Sequence, residues 1–208
     1  MYLMITDRCN MSCEHCCFNC TQKGTDMSKE VFAKALEFCD WDYVTIGGGE
    51  PTLHPNFWEI FMTVLGQAEG LDITTNGSNK TIALTLAKLA NKKIISAALS
   101  IDEWHDPIDD EVYEAFRPKG KRDGYCSIKD TGTDYNGRSR LPIAAGRAES
   151  FGRKDECPCA GMIIKPNGDI FHCGCADAPK LGTVFTEIGE YTGECYKEME
   201  ESHGTNVQ

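Results

Sequence analysis

Residues 2–16 read Y-L-M-I-T-D-R-C-N-M-S-C-E-H-C, a short apolar run followed closely by three cysteines. The apolar run at 2–6 predicts a β-strand. Cys9, Cys13 and Cys16 then follow in the spacing C-x3-C-x2-C. Three thiolates on one short loop can bind three irons of a four-iron cluster and leave the fourth iron without a protein ligand. The spacing therefore predicts an iron–sulfur site that can bind and reduce a further molecule.

A glycine-rich strand end provides a second motif. Residues 43–51 read Y-V-T-I-G-G-G-E-P, so a β-branched run leads directly into three glycines, a glutamate and a proline. Glycines at the end of a strand allow the backbone to approach a ligand closely. The glycines begin about 30 residues after the cysteine loop, with a helical segment between the two.

Together the two motifs resemble the radical S-adenosylmethionine (SAM) enzymes of the C-x3-C-x2-C type. In that family the three cysteines bind a 4Fe-4S cluster, whose open iron chelates the amino and carboxylate groups of SAM. A G-G-E-P segment after the second strand contacts the SAM amino group. The resemblance therefore assigns cofactor binding to Gly48, Gly49, Glu50 and Pro51, in addition to the cluster site at the three cysteines.

Zinc is the alternative for the cysteine loop. Cys17 and Cys20 lie beside the motif and extend it to C-x2-C-C-x2-C, counted from Cys13. Structural zinc usually takes four ligands in a tetrahedral arrangement, and these thiols are sufficient in number. The cysteines alone leave this alternative open.

Strand-like and helix-like patterns alternate over the first half of the chain. Strands are predicted at residues 2–6, 42–47, 71–75 and 94–101, and helices at residues 28–38, 57–66, 80–91 and 110–116. Such alternation predicts an α/β fold with a parallel sheet. A closed eight-unit barrel usually needs about 250 residues, and this chain has 208. We therefore expect an open partial (β/α) barrel of about five or six units, with a fifth strand near 125–128 and a weaker sixth unit around 141–148.

Polar residues follow the predicted strands where a barrel of this kind binds its ligands. The resemblance implies that Ser100 and Asp102 contact the ribose or carboxylate of SAM, and that His15 takes the place of an aromatic ring near the adenine. Asn76 is a further cofactor-binding candidate, or else a turn residue. His105 is the candidate catalytic residue, as a substrate contact or proton donor, or else a loop histidine.

A second group of cysteines lies near the end of the chain. Residues 157–175 read C-P-C-A-G-M-I-I-K-P-N-G-D-I-F-H-C-G-C, which predicts a hairpin with a C-x-C pair at each end. Four converging thiolates suit an iron–sulfur cluster or zinc. The spacing C-x10-G-x4-C resembles the start of SPASM and twitch extensions, which carry auxiliary 4Fe-4S clusters. The predicted ligands of one such cluster are Cys157, Cys159, Cys173 and Cys175, with Cys195 or Cys126 as alternates.

Charge and cysteine content limit the functional classes. The formal net charge of −11 argues against a general nucleic-acid binder. Residues 117–154 nevertheless hold ten Lys/Arg and four Asp/Glu, which indicates either a basic patch for an anionic substrate group or a solvated loop. No signal peptide or membrane span is recognisable, so we interpret the 12 cysteines as metal ligands in a reducing cytoplasm rather than as disulfides.

The resulting prediction is a cytoplasmic radical SAM enzyme. Its expected parts are a partial barrel at 1–150, a twitch-like auxiliary cluster region at 151–197 and a polar tail at 198–208. The resemblance implies reductive cleavage of SAM to a 5′-deoxyadenosyl radical that abstracts hydrogen from a substrate, with a donor such as flavodoxin or ferredoxin supplying the electron. A peptide or protein side chain is the first choice of substrate. The alternatives are a small anionic molecule such as a nucleotide or sugar, and a non-catalytic iron–sulfur or zinc-binding module.

Overall fold

The computed structural model describes residues 1–118, 125–129, 146–152, 161–174 and 178–191. Its strands are β1 (Tyr2–Thr6), β2 (Tyr43–Gly48), β3 (Gly70–Thr75), β4 (Ser96–Ser100), β5 (Cys126–Lys129), β6 (Ile163–Ile164), β7 (Asp169–Phe171) and β8 (Lys180–Thr183). Its helices are α1 (Lys29–Ala35), α2 (Phe57–Leu65), α3 (Lys80–Asn91) and α4 (Asp110–Phe116). Short 3₁₀ turns cover Leu36–Phe38, Pro51–Leu53 and Gly146–Ala148.

All eight strands belong to one open sheet in the order β5-β4-β3-β2-β1-β6-β7-β8. The strands β1 to β5 are mutually parallel, as the alternation of strands and helices predicts. Their carboxyl ends therefore meet at the same edge of the sheet. The predicted α/β fold with an open sheet is confirmed.

The helices form where apolar residues recur at helical spacing. In α2 the buried side chains are Phe57, Ile60, Phe61 and Val64. Ser28 caps α1, because its Oγ accepts the backbone N–H of Val31 at 3.1 Å. The α-helix ends earlier than predicted, and the residues up to Phe38 form a 3₁₀ turn instead.

The predicted hairpin extends the main sheet. Strand β6 lies parallel to β1, with Tyr2 opposite Ile163, and β7 returns antiparallel to it. The sequence patterns did not predict β8, which adds a further antiparallel strand beside β7. The hairpin thus lies next to the strand that leads into the cysteine loop.

Some predictions differ from the structure or fall outside it. Of the predicted sixth unit, residues 146–148 form a 3₁₀ turn, and 141–145 lie outside the described residues. Cys157, Cys159, Cys175 and Cys195 also lie outside them, as does the predicted tail at 198–208. Within the described ranges, no helix combines the length and apolar composition that crossing a membrane requires.

Candidate active site at the carboxyl ends of the strands

The cysteine loop follows β1 and folds back on itself. The backbone N–H of Cys9 donates to the carbonyl of Thr21 at 2.9 Å, which joins the two sides of the loop. The Arg8 guanidinium makes a 2.8 Å ion pair with Asp26 and donates to the carbonyl of Leu53 at 2.6 Å. These bonds hold the loop against the segment that follows β2.

The three motif cysteines lie on this loop and are partly exposed. The Cys9 sulfur accepts the backbone N–H of Met11 at 3.5 Å, and the Cys16 N–H donates to the Cys13 carbonyl at 3.2 Å. Burial raises the pKa of Cys9 and raises that of Cys13 to about 11. These two thiols therefore stay protonated near neutral pH until a metal cation replaces the proton.

The sulfur positions of the described cysteines bear on the zinc alternative. Tetrahedral zinc with Zn–S bonds of about 2.3 Å requires sulfurs about 3.8 Å apart. In the described part of the chain, no three cysteines have sulfur atoms within 4.8 Å of one another. The described thiols therefore do not form a preformed tetrahedral zinc site.

The two additional thiols of the loop have other surroundings. A hydrogen bond from the Cys20 thiol lowers the pKa of Cys16 to about 5 and raises the pKa of Cys20 itself. Cys20 is buried in a small cluster with Met4 and Ile163. Cys17 lines a cavity beside the hairpin. Of the thiols in the alternative zinc motif, Cys16 and Cys20 thus contact each other, whereas Cys17 lies on the cavity.

The glycine strand end packs on the start of the cysteine loop. Gly48 has a φ of 153°, and its N–H donates to the Tyr2 hydroxyl at 2.9 Å. The Gly49 N–H donates to the Thr6 carbonyl at 2.8 Å, and a Cβ on Gly49 would collide with the carbonyl oxygen of Arg8. Glycine is required here because the two backbone segments lie in direct contact.

Glu50 is fully buried and accepts four hydrogen bonds. Its Oε1 accepts the N–H and hydroxyl of Thr52 at 3.1 and 2.5 Å and the hydroxyl of Thr75 at 2.8 Å. Its Oε2 accepts the Asn76 N–H at 2.6 Å. Desolvation raises the pKa of this carboxyl, and the hydrogen bonds oppose that effect. The Glu50 side chain thus connects β2 to β3. A contact between Glu50 and SAM would therefore involve its backbone. The predicted SAM contacts of Glu50 and Pro51 both stay predictions.

Asn76 lies beside Cys9. Its Nδ2 donates to the Cys9 sulfur at 3.8 Å and to Oδ1 of Asn10 at 3.0 Å. Its Oδ1 accepts the N–H of Ser78 at 3.0 Å, as in an Asx turn. Asn76 is thus both a turn residue and a neighbour of the predicted cluster, so the two interpretations of the sequence are compatible.

The segment after β4 brings two histidines to one carboxylate. Asp102 Oδ1 lies 2.7 Å from Nδ1 of His105, and Asp102 Oδ2 lies 3.4 Å from Nε2 of His15. The side chains of Asp102 and His105 are only 5% and 9% exposed. Desolvation lowers the pKa of His15 although Asp102 opposes it. The Trp104 ring lies 4.9 Å from the His15 ring. Half-buried Ser100 ends β4, and its predicted role stays a prediction.

The hairpin places one predicted auxiliary ligand at a cavity of about 380 Å³. Buried Cys173 lines this cavity together with Cys17 and Phe18 of the cysteine loop. Cys126 lies on the opposite edge strand, where its sulfur contacts the carbonyls of Ala115 and Phe116. Of the two alternates, the structure therefore disfavours Cys126.

Sequence reasoning missed Arg147. Its Nε donates to the Cys13 carbonyl at 2.8 Å and its Nη1 to the Cys20 carbonyl at 3.0 Å. The residue lies in the Gly- and Arg-rich segment where the strand and helix patterns weaken, and no local signal in the sequence links it to the cysteine loop.

Comparison of the sequence with known proteins identifies one superfamily and several relatives. A sequence model described as the radical SAM superfamily matches residues 3–134. The chain is similar to the mycofactocin maturase MftC of Mycolicibacterium smegmatis, with 32% identity over 124 residues that cover 57% of this chain and 30% of the relative. It is also similar to the antilisterial bacteriocin subtilosin biosynthesis protein AlbA of Bacillus subtilis, with 34% identity over 119 residues that cover 54% and 25%. The matched segments thus span less than a third of either relative.

A solved structure shares the fold. The chain is similar to native anSMEcpe with bound AdoMet and Cp18Cys peptide, with a TM-score of 0.57 and 15% identity over 96% of this chain and 81% of that one. At this identity the likeness concerns the fold alone.

Proposed function

Because the chain belongs to the radical SAM superfamily, we propose that Cys9, Cys13 and Cys16 bind a 4Fe-4S cluster whose open iron takes the amino and carboxylate groups of SAM. The observation that carries this proposal is the packing of the glycine strand end on the cysteine loop. The Glu50 N–H donates to the Arg8 carbonyl at 2.9 Å, so the backbone of the G-G-E-P segment lies against the residue that precedes Cys9.

The surrounding side chains have distinct roles in this proposal. Asn76 supports Cys9 through its 3.8 Å contact. His15 and Trp104 offer aromatic surface for the adenine, and Asp102 holds the His15 ring in place. His105 is the candidate proton donor or substrate contact because Asp102 Oδ1, 2.7 Å from its Nδ1, holds the ring in place at the strand ends. When bound, the cluster supplies the electron that cleaves SAM to methionine and a 5′-deoxyadenosyl radical.

A peptide or protein side chain is the proposed substrate. The names of the relatives, a mycofactocin maturase and a subtilosin biosynthesis protein, support peptide modification. The small-anion alternative depends on the basic segment 117–154, and the described cations there have partners within the protein. Arg117 pairs with Glu114 at 3.1 Å, Lys129 donates to Thr74 at 3.0 Å, and Arg147 binds loop carbonyls. These three of the ten cations give no support to the anionic small molecule, and the names of the relatives are the ground for preferring the peptide.

The proposal includes a second 4Fe-4S cluster at the hairpin, with Cys157, Cys159, Cys173 and Cys175 as ligands and Cys195 as the alternate. Its support is the buried thiol of Cys173 on the cavity that also reaches Cys17. The proposed setting is the reducing cytoplasm, with flavodoxin or ferredoxin as electron donor and the sheet curved into a partial barrel around the site.

Formation of 5′-deoxyadenosine tests the function. The protein is reconstituted anaerobically with iron and sulfide, and SAM and dithionite are added. We expect product from the wild type. We also expect product from a Cys39→Ala variant as the control, because the Cys39 thiol contacts the Ala35 carbonyl at the end of α1 rather than the cysteine loop. We expect none from a variant with alanine at Cys9, Cys13 and Cys16. Zinc in place of iron, with no binding of SAM, would instead support a non-catalytic module.

A further inference from the structure

A short segment beyond the part of the chain matched by the superfamily contacts the cysteine loop. The match ends at residue 134, whereas residues 146–152 lie against the loop. The backbone N–H of Arg147 donates to the Cys16 carbonyl at 3.0 Å. Its side chain donates to the carbonyls of Cys13 and Cys20 at 2.8 and 3.0 Å. One residue thus engages three carbonyls of the loop.

The neighbouring glycine permits this close approach. Gly146 has a φ of 56°, a conformation that residues with side chains rarely adopt. A Cβ at this position would lie 2.8 Å from the Cys16 carbonyl oxygen, closer than such atoms pack. The backbone therefore reaches the loop only because position 146 carries no side chain.

The same segment also contacts the opposite wall of the site. The Phe151 ring stacks on the Trp104 ring with 6.0 Å between centroids. Trp104 in turn lies 4.9 Å from His15. Residues 146–152 therefore connect the cysteine loop to the segment that follows β4.

We propose that Arg147 is a positioning residue that holds the cysteine loop in its cluster-binding conformation and raises the reduction potential of the cluster. This inference rests on the proposed binding of a 4Fe-4S cluster by Cys9, Cys13 and Cys16. It concerns a residue that belongs to neither motif and that acts through the loop rather than on SAM.

The chemistry of the guanidinium supports the positioning role. Arginine presents several N–H donors in one rigid plane, so it can bind two carbonyls in a defined geometry. Those two carbonyls flank Cys16 in sequence, one before and one after it. Lysine carries the same charge on a flexible chain and a compact ammonium, so it restrains the loop less.

The charge of the guanidinium supports the effect on potential. Reduction of the cluster adds one negative charge to a site with three thiolates. A nearby cation stabilises that added charge, and net charge and hydrogen bonds are among the factors that set such potentials. The guanidinium of Arg147 lies directly against the motif, since it donates to the Cys13 and Cys20 carbonyls at 2.8 and 3.0 Å.

Two variants of the full chain separate geometry from charge. Arg147→Lys keeps the charge and loses the fork of donors, whereas Arg147→Gln loses both. Arg117→Gln is the matched control, because it removes one positive charge from an exposed pair with Glu114. The first readout is the midpoint potential of the reconstituted cluster, which is measured by a redox titration monitored with electron paramagnetic resonance. The second is hydrogen exchange at the amides of residues 9–20 in the metal-free protein.

We expect a more negative potential for Arg147→Gln than for wild type and Arg117→Gln, with Arg147→Lys between them. Each tenfold loss in the ratio of reduced to oxidised cluster at fixed ambient potential corresponds to about 59 mV. We expect faster exchange at the Cys16 and Asn19 amides in both Arg147 variants. If Arg147→Gln alone fails to take up iron, that supports the positioning role, and the potential is then measured on Arg147→Lys.

An unchanged potential together with unchanged exchange in Arg147→Gln would overturn the inference. Failure of the proposed function is distinguishable from this result. If the wild type itself forms no 4Fe-4S cluster, the cluster assignment is wrong, whereas the exchange experiment still tests the contact between Arg147 and the loop.

Discussion

The Glu50 carboxylate lies 2.6 Å from the backbone nitrogen of Asn76, so one buried side chain joins the end of β2 to the end of β3. Asn76 in turn contacts the Cys9 sulfur. The glycine strand end and Cys9 are therefore parts of one hydrogen-bonded unit. Changes within this unit are expected to affect stability as well as cofactor binding.

Glu50→Gln should lower the free energy of unfolding by about 1–3 kcal/mol, the cost of leaving a buried polar group unpaired. Both carboxylate oxygens accept bonds, and an amide replaces one of them with a donor. Urea denaturation of the metal-free protein measures the change. The control is Glu59→Gln, an exposed carboxylate paired with Lys29, which should stay within about 0.5 kcal/mol of wild type. Equal stability of the two variants would contradict the role of Glu50.

Tyr2→Phe should lower the free energy of unfolding by about 1 kcal/mol, because the Gly48 N–H loses its acceptor. Since Gly48 is one of the proposed SAM-binding residues, the variant should also bind SAM more weakly, as isothermal titration calorimetry can show. Tyr113→Phe, at a more exposed position on α4, is the control and should leave both quantities unchanged. A Tyr2→Phe variant that matches this control would show that the hydroxyl does not support the strand end.

Asp102→Asn should raise the Kd for SAM about 10- to 100-fold, the range expected when a hydrogen bond to a charged group is lost. The carboxylate holds His15 and His105 in place, and an amide cannot accept from both rings. The iron content should not change, because Asp102 is not a predicted ligand. Asp106→Asn, at an exposed position in the same loop, serves as control. Normal affinity in Asp102→Asn would exclude Asp102 from the SAM site.

The local parts of this site could be predicted from the sequence. Strand boundaries, the Ser28 cap and the grouping of polar residues at strand ends follow from patterns within a few residues. Asp102 and His105 illustrate this, since they lie three residues apart and share one hydrogen bond. Such contacts depend on local spacing, so the sequence contains the necessary information.

Long-range contacts could not be predicted in the same way. Arg147 and Cys13 are separated by 134 positions, and nothing near either residue indicates the pairing. The docking of β6 on β1 is a similar case, because a hairpin pattern predicts its own turn but not its neighbour in a sheet. Glu50 lies within a recognisable motif, yet its burial depends on where β3 ends.

Cysteine variants should separate the two proposed clusters. Cys13→Ala should lose the SAM-dependent signal and retain the iron at the hairpin, since Cys13 lies on the loop after β1. Cys173→Ala should lose about half the iron and retain a cluster signal that changes when SAM is added. Cys39→Ala, with its thiol against the Ala35 carbonyl, should keep all of the iron. Iron and sulfide analysis with electron paramagnetic resonance measures these differences. Full iron in Cys173→Ala would exclude Cys173 as a cluster ligand, and SAM cleavage by Cys13→Ala would show that the loop is not the reducing site.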